Sequence, residues 1–299
     1  MSSSSSNTRE SWGTFNPKVE RLAPETIWPC AHPSEFSNED NLSGLYNLVT
    51  GISRKQGNRI TRCILRVPDT ERSSIDDGAT MLRFMNQQTS IPVPKVLTLD
   101  RKSSNVLGRP YMAQKRISGV DLSRCDKNLD HQGSCRIAKE LGSWIRTMLQ
   151  IKSQAAGKVV YGGLDGKSFS ITTLPDLNRD EAKDHQAKHP KSSGAVLELL
   201  IDMLKKRRAA CVAENNTAGV SRTDKVFKIA IEIQNGGWLN KVEFTLTHLD
   251  FFARNILINT DGNGRVNEPA VAAILDWDDA LFVPAFVGCA PPAFLWSQP

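Results

Sequence analysis

Three polar residues that could do chemistry stand among the apolar strand-forming residues of the stretch from Leu246 to Pro284, LTHLDFFARNILINTDGNGRVNEPAVAAILDWDDALFVP. They are Asp250, Asn255 and Asp276. Burying a carboxylate costs free energy unless the carboxylate is paired, hydrogen-bonded or bound to a metal. The residue types in this stretch therefore indicate a site, and their chemistry indicates its kind.

The segments around these residues are predicted to bring the three side chains together. FTLTHLD and NILINT have the pattern of strands, DGNG predicts a turn, and VAAILDWD predicts a third strand that ends in acids. Asp276 follows Asp250 by 26 residues, which is enough for a hairpin to return. Two carboxylates and a carboxamide make an all-oxygen site of the kind that Mg²⁺ prefers, with waters and phosphate oxygens completing the octahedron.

The spacing within DFFARN indicates the type of reaction at this site. D-x-x-x-x-N is the spacing of a kinase catalytic loop, in which the aspartate accepts the proton of the acceptor and the asparagine binds metal. Phosphoryl transfer requires an acid to orient the acceptor hydroxyl, oxygen ligands for a metal, and a cation on the phosphates. The stretch therefore predicts phosphoryl transfer.

A hairpin, a short helix and further strands are predicted ahead of this stretch. LYNLVTGIS and RITRCILRV are rich in strand-forming residues and are separated by the turn RKQGNR. In DDGATMLRFMNQQ the apolar residues recur at helical spacing, and the two prolines of SIPVPKVLTLD prevent that helix from continuing. RPYMAQKRISG is predicted to be a strand that ends at Gly119.

After Gly119 the pattern becomes helical. SCRIAKELGSWIRTMLQI predicts an amphipathic helix with Ser134 as its N-cap. GAVLELLIDMLKKRRAA predicts a second helix, whose cations are interpreted as a solvated helix end rather than a nucleic-acid patch. Residues 165–193 are interpreted as a long polar insert, in which Pro190 argues against a metal site at the neighbouring histidines His185 and His189.

This order of elements predicts an α+β fold with a small β-rich lobe followed by a larger α-rich lobe. The opening residues MSSSSSNTRE are predicted to be a disordered polar tail. Residues 11–40 contain several prolines and no clear period, and they are interpreted as a loose lead-in.

Composition narrows the class of protein. The chain has 299 residues, 39% of them hydrophobic and 23% charged, which is ordinary for a globular protein. A net charge of +6 suits an anionic ligand without indicating nucleic acid. The six cysteines form no C-x-x-C pair, no apolar signal segment opens the chain, and no apolar run has membrane-spanning length. We therefore expect a cytoplasmic protein with no membrane or nucleic-acid partner, and the sequence leaves its oligomeric state open.

The combined motifs are similar to those of the aminoglycoside phosphotransferase-like family, which has a protein-kinase-like fold. The matching segments are THLDFFARNILI, AILDWDDA, ILRVP, SIPVPKVL and GRPYMAQKRISG, and together they lie within residues 43–296. The combination of H-x-D-x-x-x-x-N with I-L-D-W-D is specific, whereas either half alone would be weak. The resemblance implies a two-lobed fold, with a lead-in at 1–40, a nucleotide-binding lobe at 41–118 and a catalytic lobe at 119–299.

The resemblance also implies roles for individual residues. Asp250 matches the catalytic aspartate, and Asn255 and Asp276 match the metal-binding residues. His248 matches a loop histidine that is more structural than chemical, and Arg66 stands where the family has its phosphate-pairing lysine. YMAQKRI would hold adenine through backbone groups, and the turn SRKQGNR would cover the phosphates. The implied cofactors are ATP and Mg²⁺, and the implied activity is transfer to a hydroxyl of a small molecule.

The sequence departs from the family pattern at four places. Arg66 replaces the lysine, and no G-x-G-x-x-G is present. The helix position expected to hold a glutamate partner for this cation is Gly78, with Asp77 one step away. The chain ends soon after APPAFLW, where family members carry further helices, so we expect a truncated acceptor side and an exposed apolar patch at 294–296.

Three alternatives remain open on the sequence. The polar residues could be strand-end caps or turn formers, and this interpretation is favoured for Asp278 and Asp279. The chain could be a non-catalytic binding protein that keeps the kinase-like fold. A metal hydrolase that uses His248 and Asp250 is disfavoured because no third ligand with suitable spacing follows. The sequence does not identify the phosphate acceptor.

Overall fold

The computed structural model describes residues 11–29, 31–42, 47–68, 75–125, 129–161, 168–173, 195–261, 265–289, 292 and 294. Its helices are α1 (Trp12–Leu22), α2 (Ile75–Gln88), α3 (Leu122–Cys125), α4 (His131–Gln150), α5 (Ala195–Ala213), α6 (Thr217–Asn235) and α7 (Ala285–Gly288). Its strands are β1 (Phe36–Asn41), β2 (Asn47–Gln56), β3 (Arg59–Pro68), β4 (Val96–Asp100), β5 (Tyr111–Lys115), β6 (Val120–Asp121), β7 (Lys152–Ser153), β8 (Gly157–Tyr161), β9 (Phe169–Thr173), β10 (Phe244–Thr247), β11 (Ile256–Thr260), β12 (Val266–Ile274) and β13 (Leu281–Pro284). Short turns of 3₁₀-helix occur at Pro33–Glu35, Ala253–Asn255 and Trp277–Asp279, and a π-helical turn occurs at Ala23–Ile27.

The chain folds into two compact units. The first comprises Met1–Leu141, Asp250–Asp279 and Phe294–Pro299, and the second comprises Gly142–Leu249 and Ala280–Ala293. All four predicted site residues belong to the first unit.

An antiparallel five-stranded sheet in the first unit has the order β1-β2-β3-β5-β4. Strands β2 and β3 form the predicted hairpin, in unbroken register from Asn47↔Pro68 to Gln56↔Arg59. The tight turn between them uses Gly57 at φ +58°, a backbone conformation that costs glycine little. The hairpin prediction is therefore confirmed.

Helix α1 covers one face of this sheet, in a segment that the sequence did not predict to be ordered. Phe15, Val19 and Leu22 are fully buried in a cluster with Leu48 of β2 and Leu65 of β3. These three helix residues stand at i, i+4 and i+7, the spacing of one helical face. Burial of that face against the sheet stabilises the helix although Pro17 lies inside it.

Helix α2 follows the hairpin, as predicted. Asp76 and Asp77 stand in its first turn, where carboxylates interact favourably with the helix dipole. Met81, Leu82 and Met85 bury its apolar face. The side chains of β3 alternate between the two faces of the sheet, so Arg66 points away from the face on which Leu65 packs.

A second sheet in the first unit has the order β12-β11-β6. Strands β11 and β12 are antiparallel, and Ile256 pairs with Ile274 at one end of the ladder. The loop that enters β11 and the loop that leaves β12 therefore meet at the same edge.

The second unit contains the sheet β7-β10-β13-β8-β9 and the helices α5 and α6. Arg208 of α5 bonds Asp224 of α6 at 2.8 Å, and α5 continues to Ala213, beyond its run of cations. Strands β7 to β9 and helix α6 were not predicted. Within the polar insert the structure describes only residues 168–173, which include β9, and His185 and His189 lie outside the described residues.

Two further sequence predictions can be compared with the structure. Ser134 is not the cap of α4: the helix begins at His131, and the carboxylate of Asp130 accepts the Gly133 N–H at 2.6 Å. The predicted patch at 294–296 lies outside the described residues except for Phe294, whose ring centroid is 6.5 Å from that of Phe251. Among the residues that the structure describes, no helix is both long and apolar enough to cross a membrane.

Candidate active site

The hairpin of β11 and β12 places Asn255 and Asp276 next to each other. Asn255 ends the 3₁₀ turn before β11, and its carbonyl oxygen accepts the Leu275 N–H at 2.7 Å. Asp276 is the next residue along the chain, two positions beyond the last residue of β12. The register of the sheet thus brings together two residues that are 21 positions apart.

The carboxamide of Asn255 is buried and oriented by Asp250. Its nitrogen donates to the backbone carbonyl of Asp250 at 2.9 Å and to the carboxylate Oδ2 at 2.7 Å. A carboxamide nitrogen has two hydrogens, and both are used in these bonds. The side-chain oxygen of Asn255 is therefore the group left to act as a ligand.

Asp250 also has a cationic partner that the sequence analysis missed. The guanidinium of Arg254 donates to both carboxylate oxygens, at 2.6 and 2.8 Å, and lies 4.5 Å from the centre of the Phe252 ring. The two charges stand four residues apart, a spacing from which the sequence could have suggested the pair.

Asp276 has an unusual backbone and a crowded electrostatic environment. Its φ is +60°, a left-handed conformation that is uncommon outside glycine and that occurs often at functional sites. Burial raises the pKa of its carboxyl, and the negative charges of Asp278, Asp250 and Asp279 raise it further, while Arg66 acts in the opposite direction. About half of the side chain is still exposed. A cation at this position would relieve the repulsion among the carboxylates.

Arg66 is buried on β3, with 8% of the residue exposed. Its two terminal nitrogens donate to the carboxylate of Asp278 at 3.1 and 2.5 Å, and Nη2 lies 3.6 Å from Oδ1 of Asp276. Burial alone would lower the pKa of the guanidinium, but the charges of Asp278 and Asp276 outweigh burial and raise it. Arg66 is therefore a fixed cation beside Asp276.

Asp278 stands in the 3₁₀ turn after β12, but forming that turn is not its only role. It is the ion-pair partner of Arg66, and it lies against helix α2 at Gly78. A β-carbon on residue 78 would stand 2.6 Å from its Oδ1. The sequence contained a signal for this role in the second acid of D-W-D, but the acid lies 212 positions from its partner.

The prediction that the turn between β2 and β3 covers the phosphates differs from the geometry. The turn at Gly57–Asn58 leads into β3 at Arg59. Arg59 is seven residues before Arg66 on this strand, which corresponds to roughly 23 Å along extended backbone. That turn is too far away to cover a phosphate held by Arg66. In the segment YMAQKRI, the N–H groups of Lys115 and Arg116 are bonded to the carbonyls of Lys95 and Arg62, and the adenine-binding role of the segment stays a prediction.

His248 and Trp277 are both buried, with 2% and 1% exposed. Trp277 is a core residue, and its indole N–H donates to the Ile274 carbonyl at 2.9 Å. Among the described residues, no three His, Cys, Asp or Glu side chains are grouped closely enough to hold a metal by themselves.

Comparison with known proteins identifies the family. A family model described as a phosphotransferase enzyme family matches residues 51–287. The chain belongs to this phosphotransferase family. The resemblance inferred from the sequence motifs is confirmed, and no curated protein sequence matches the chain.

Several solved structures in this phosphotransferase family's fold class are similar to the chain. The streptomycin–ATP complex of APH(2″)-IIa has 13% identity and a TM-score of 0.50, over 90% of this chain and 72% of that one. The GDP complex of aminoglycoside 2′-phosphotransferase-IIIa has 11% identity and a TM-score of 0.51, over 91% and 75%. The Plasmodium vivax ethanolamine kinase Pv091845 has 13% identity and a TM-score of 0.51, over 94% and 67%. These likenesses confirm the predicted α+β fold of the protein-kinase-like class.

Proposed function

We propose that the chain is an ATP- and Mg²⁺-dependent phosphotransferase that acts on a hydroxyl group of a small molecule. The observation that carries the proposal is the cluster in the first unit in which Asn255 is bonded to Asp250 and Arg66 lies 3.6 Å from Asp276. The family match supports phosphoryl transfer, and two of the similar structures contain ATP or GDP.

The residues of the cluster have different roles in the reaction. Asp250 orients the acceptor hydroxyl and takes its proton as the new oxygen–phosphorus bond forms. The bond from the γ-phosphorus to the bridging oxygen breaks, and ADP leaves. Arg66 binds the phosphate oxygens, because a guanidinium can form paired hydrogen bonds with them.

The donor set fits Mg²⁺. Asn255 has its side-chain oxygen left over after both amide hydrogens are used on Asp250. Asp276 is half exposed and surrounded by other carboxylates, so a divalent cation would relieve their repulsion. Both are hard oxygen ligands, and phosphate oxygens and waters would complete the shell. When bound, the metal neutralises charge on the transferred phosphate.

The proposal is tested with γ-labelled ATP, Mg²⁺ and a panel of aminoglycosides and amino alcohols. We expect label to appear on a hydroxyl-bearing acceptor, and transfer to stop when EDTA removes the metal. Calorimetric titration with Mg-ATP is run in parallel, with the Asp276→Asn variant as a control. No heat of binding at millimolar Mg-ATP would overturn the proposal.

A further inference from the structure

Arg66 needs a fixed counter-charge, because a buried guanidinium without one is strongly destabilising. The structure provides this charge from beyond strand β12. Asp278 meets the guanidinium with both carboxylate oxygens, at 3.1 and 2.5 Å, in the paired geometry that arginine forms with carboxylates.

Helix α2 makes room for this carboxylate by carrying no side chain at its point of contact. Oδ1 of Asp278 lies 2.6 Å from the point where a β-carbon on Gly78 would stand, and its Cγ lies 3.2 Å away. Any larger residue at 78 would have to displace a carboxylate that is held by Arg66. Gly78 has an ordinary helical φ, so a side chain at this position is disfavoured by lack of space and not by backbone conformation.

An acid of helix α2 near this glycine is engaged elsewhere. Asp76 pairs with Nε of Arg101, and both side chains are about half exposed. The cation on β3 is held by an acid from a different segment, and Gly78 of the helix provides the space that this acid fills.

The pairing also orients Arg66 toward the proposed metal ligand. A guanidinium has five N–H donors in one plane, and Asp278 occupies one edge of it. Nη2 is shared between this edge and Asp276, whose Oδ1 is 3.6 Å away. The remaining N–H donors do not bond to Asp278 and can donate to phosphate oxygens. A lysine held by the same acid would have only one nitrogen for both contacts.

We propose that Asp278 is the positioning residue of Arg66 and that Gly78 is the residue that makes this position available. The carboxylate holds the guanidinium beside Asp276, in the orientation that binds phosphate. The part of the inference that concerns phosphate rests on the proposed function, whereas the pairing of the three residues does not.

The pairing is tested first in the ligand-free protein, by thermal unfolding. Gly78→Ala should lower the unfolding temperature by about 2–4 °C, because the methyl group displaces the carboxylate from Arg66. In an Asp278→Ala background the same substitution should raise the unfolding temperature, because alanine is the better helix former. The same sign in both backgrounds would overturn the pairing.

The positioning role is tested by moving the carboxylate from position 278 to position 78. Asp278→Ala should weaken binding of metal-free ATP by roughly 10- to 100-fold, as expected for the loss of a hydrogen bond between charged groups. Adding Gly78→Asp to Asp278→Ala should recover most of that affinity, because the new carboxylate enters the volume that Asp278 Oδ1 occupied. The matched control adds Gly78→Asn, which fills the same volume without charge and should recover none.

The enzymatic readout separates positioning from folding. In the Asp278→Ala variant the KM for ATP should rise more than kcat falls, and Gly78→Asp should reverse the change in KM. Equal recovery with Gly78→Asn, or unchanged ATP affinity in Asp278→Ala, would overturn the positioning role. If the unsubstituted chain bound no ATP, the proposed function and the phosphate role would both fall, and the unfolding experiment would still decide the pairing.

Discussion

Asp250 is the most heavily bonded acid of the site. Its carboxylate accepts hydrogen bonds from Arg254 and from the buried carboxamide of Asn255. These bonds hold the carboxylate in one orientation, which is what a residue that must align an acceptor hydroxyl requires. Asp276 differs, because it is half exposed and crowded by like charges.

This contrast predicts different effects for the same substitution at the two acids. Asp250→Asn should leave Mg-ATP binding almost unchanged and lower the rate of transfer by roughly 10²- to 10⁴-fold, as expected for a general base. Asp276→Asn should weaken Mg-ATP binding itself, because it removes a charged oxygen ligand. Calorimetry and steady-state kinetics measure the two effects. Loss of nucleotide binding in Asp250→Asn but not in Asp276→Asn would show that the roles are reversed.

Removing the cation beside Asp250 should affect the chemical step. Arg254→Ala frees the carboxylate to rotate, so we expect kcat to fall by about 10-fold with little change in the KM for ATP. Lys152→Ala is the matched control, since Lys152 is as exposed as Arg254 and pairs with Glu243 at 2.8 Å. An exposed ion pair of this kind contributes little to the stability of a protein. An equal loss of kcat in the two variants would contradict the role of Arg254.

The raised pKa of Asp276 predicts that its charge lowers the stability of the ligand-free protein although it serves metal binding. The raised pKa means that the ionised carboxylate is disfavoured in the folded state, so its charge lowers stability at pH values above the pKa of the unfolded chain. Asp276→Asn removes the charge and keeps a residue that tolerates positive φ. We expect the ligand-free variant to unfold about 1–3 °C higher by calorimetry. Asp202→Asn on α5 should have no such effect, and a lower unfolding temperature for Asp276→Asn would refute the explanation.

At the scale of elements, helix α1 and strand β3 support the site from the opposite face of the sheet. Cys63, Leu65 and Val67 pack into the cluster that contains Phe15 and Val19 of α1, and Arg66 alternates to the other face. The position of the cation therefore depends on a core that it does not touch. The sequence carried the helical spacing of α1, but the prolines in residues 11–40 led to the interpretation of a loose segment.

Truncating the anchor of α1 should destabilise the first unit. Phe15→Ala removes a fully buried ring from the cluster, and we expect a loss of about 3–5 kcal/mol in the free energy of unfolding. Denaturation in urea measures this loss. Glu20→Ala, on the exposed face of the same helix, should change the stability by less than about 0.5 kcal/mol. If the two variants were equally stable, α1 would not be part of the core.

At the scale of the whole molecule, ligand binding should raise the free energy of unfolding. A ligand that binds only the folded chain stabilises it by RT ln(1 + [L]/Kd), about 2.7 kcal/mol at 100 times Kd. We expect the unfolding temperature to rise with Mg-ATP concentration and to rise less with ATP alone. The Asp276→Asn variant should lose the difference between the two conditions. A curve that is flat up to millimolar Mg-ATP would contradict nucleotide binding.

The sequence by itself determined the local chemistry of this protein. The DFFARN loop places Asp250, Arg254 and Asn255 within six residues, so their contacts depend mainly on one turn of backbone. The hairpin and α2 were predictable for the same reason, since turn residues and apolar periodicity act over short distances.

Only the tertiary structure decided which acid holds Arg66. Asp278 lies 212 positions away, and in the sequence it looks like one of several acids at the end of a strand. Its role depends on the register of β11 with β12 and on the empty space at Gly78. These are properties of packed surfaces that no single segment encodes, because a buried charge is satisfied by whichever partner the fold brings within hydrogen-bonding distance.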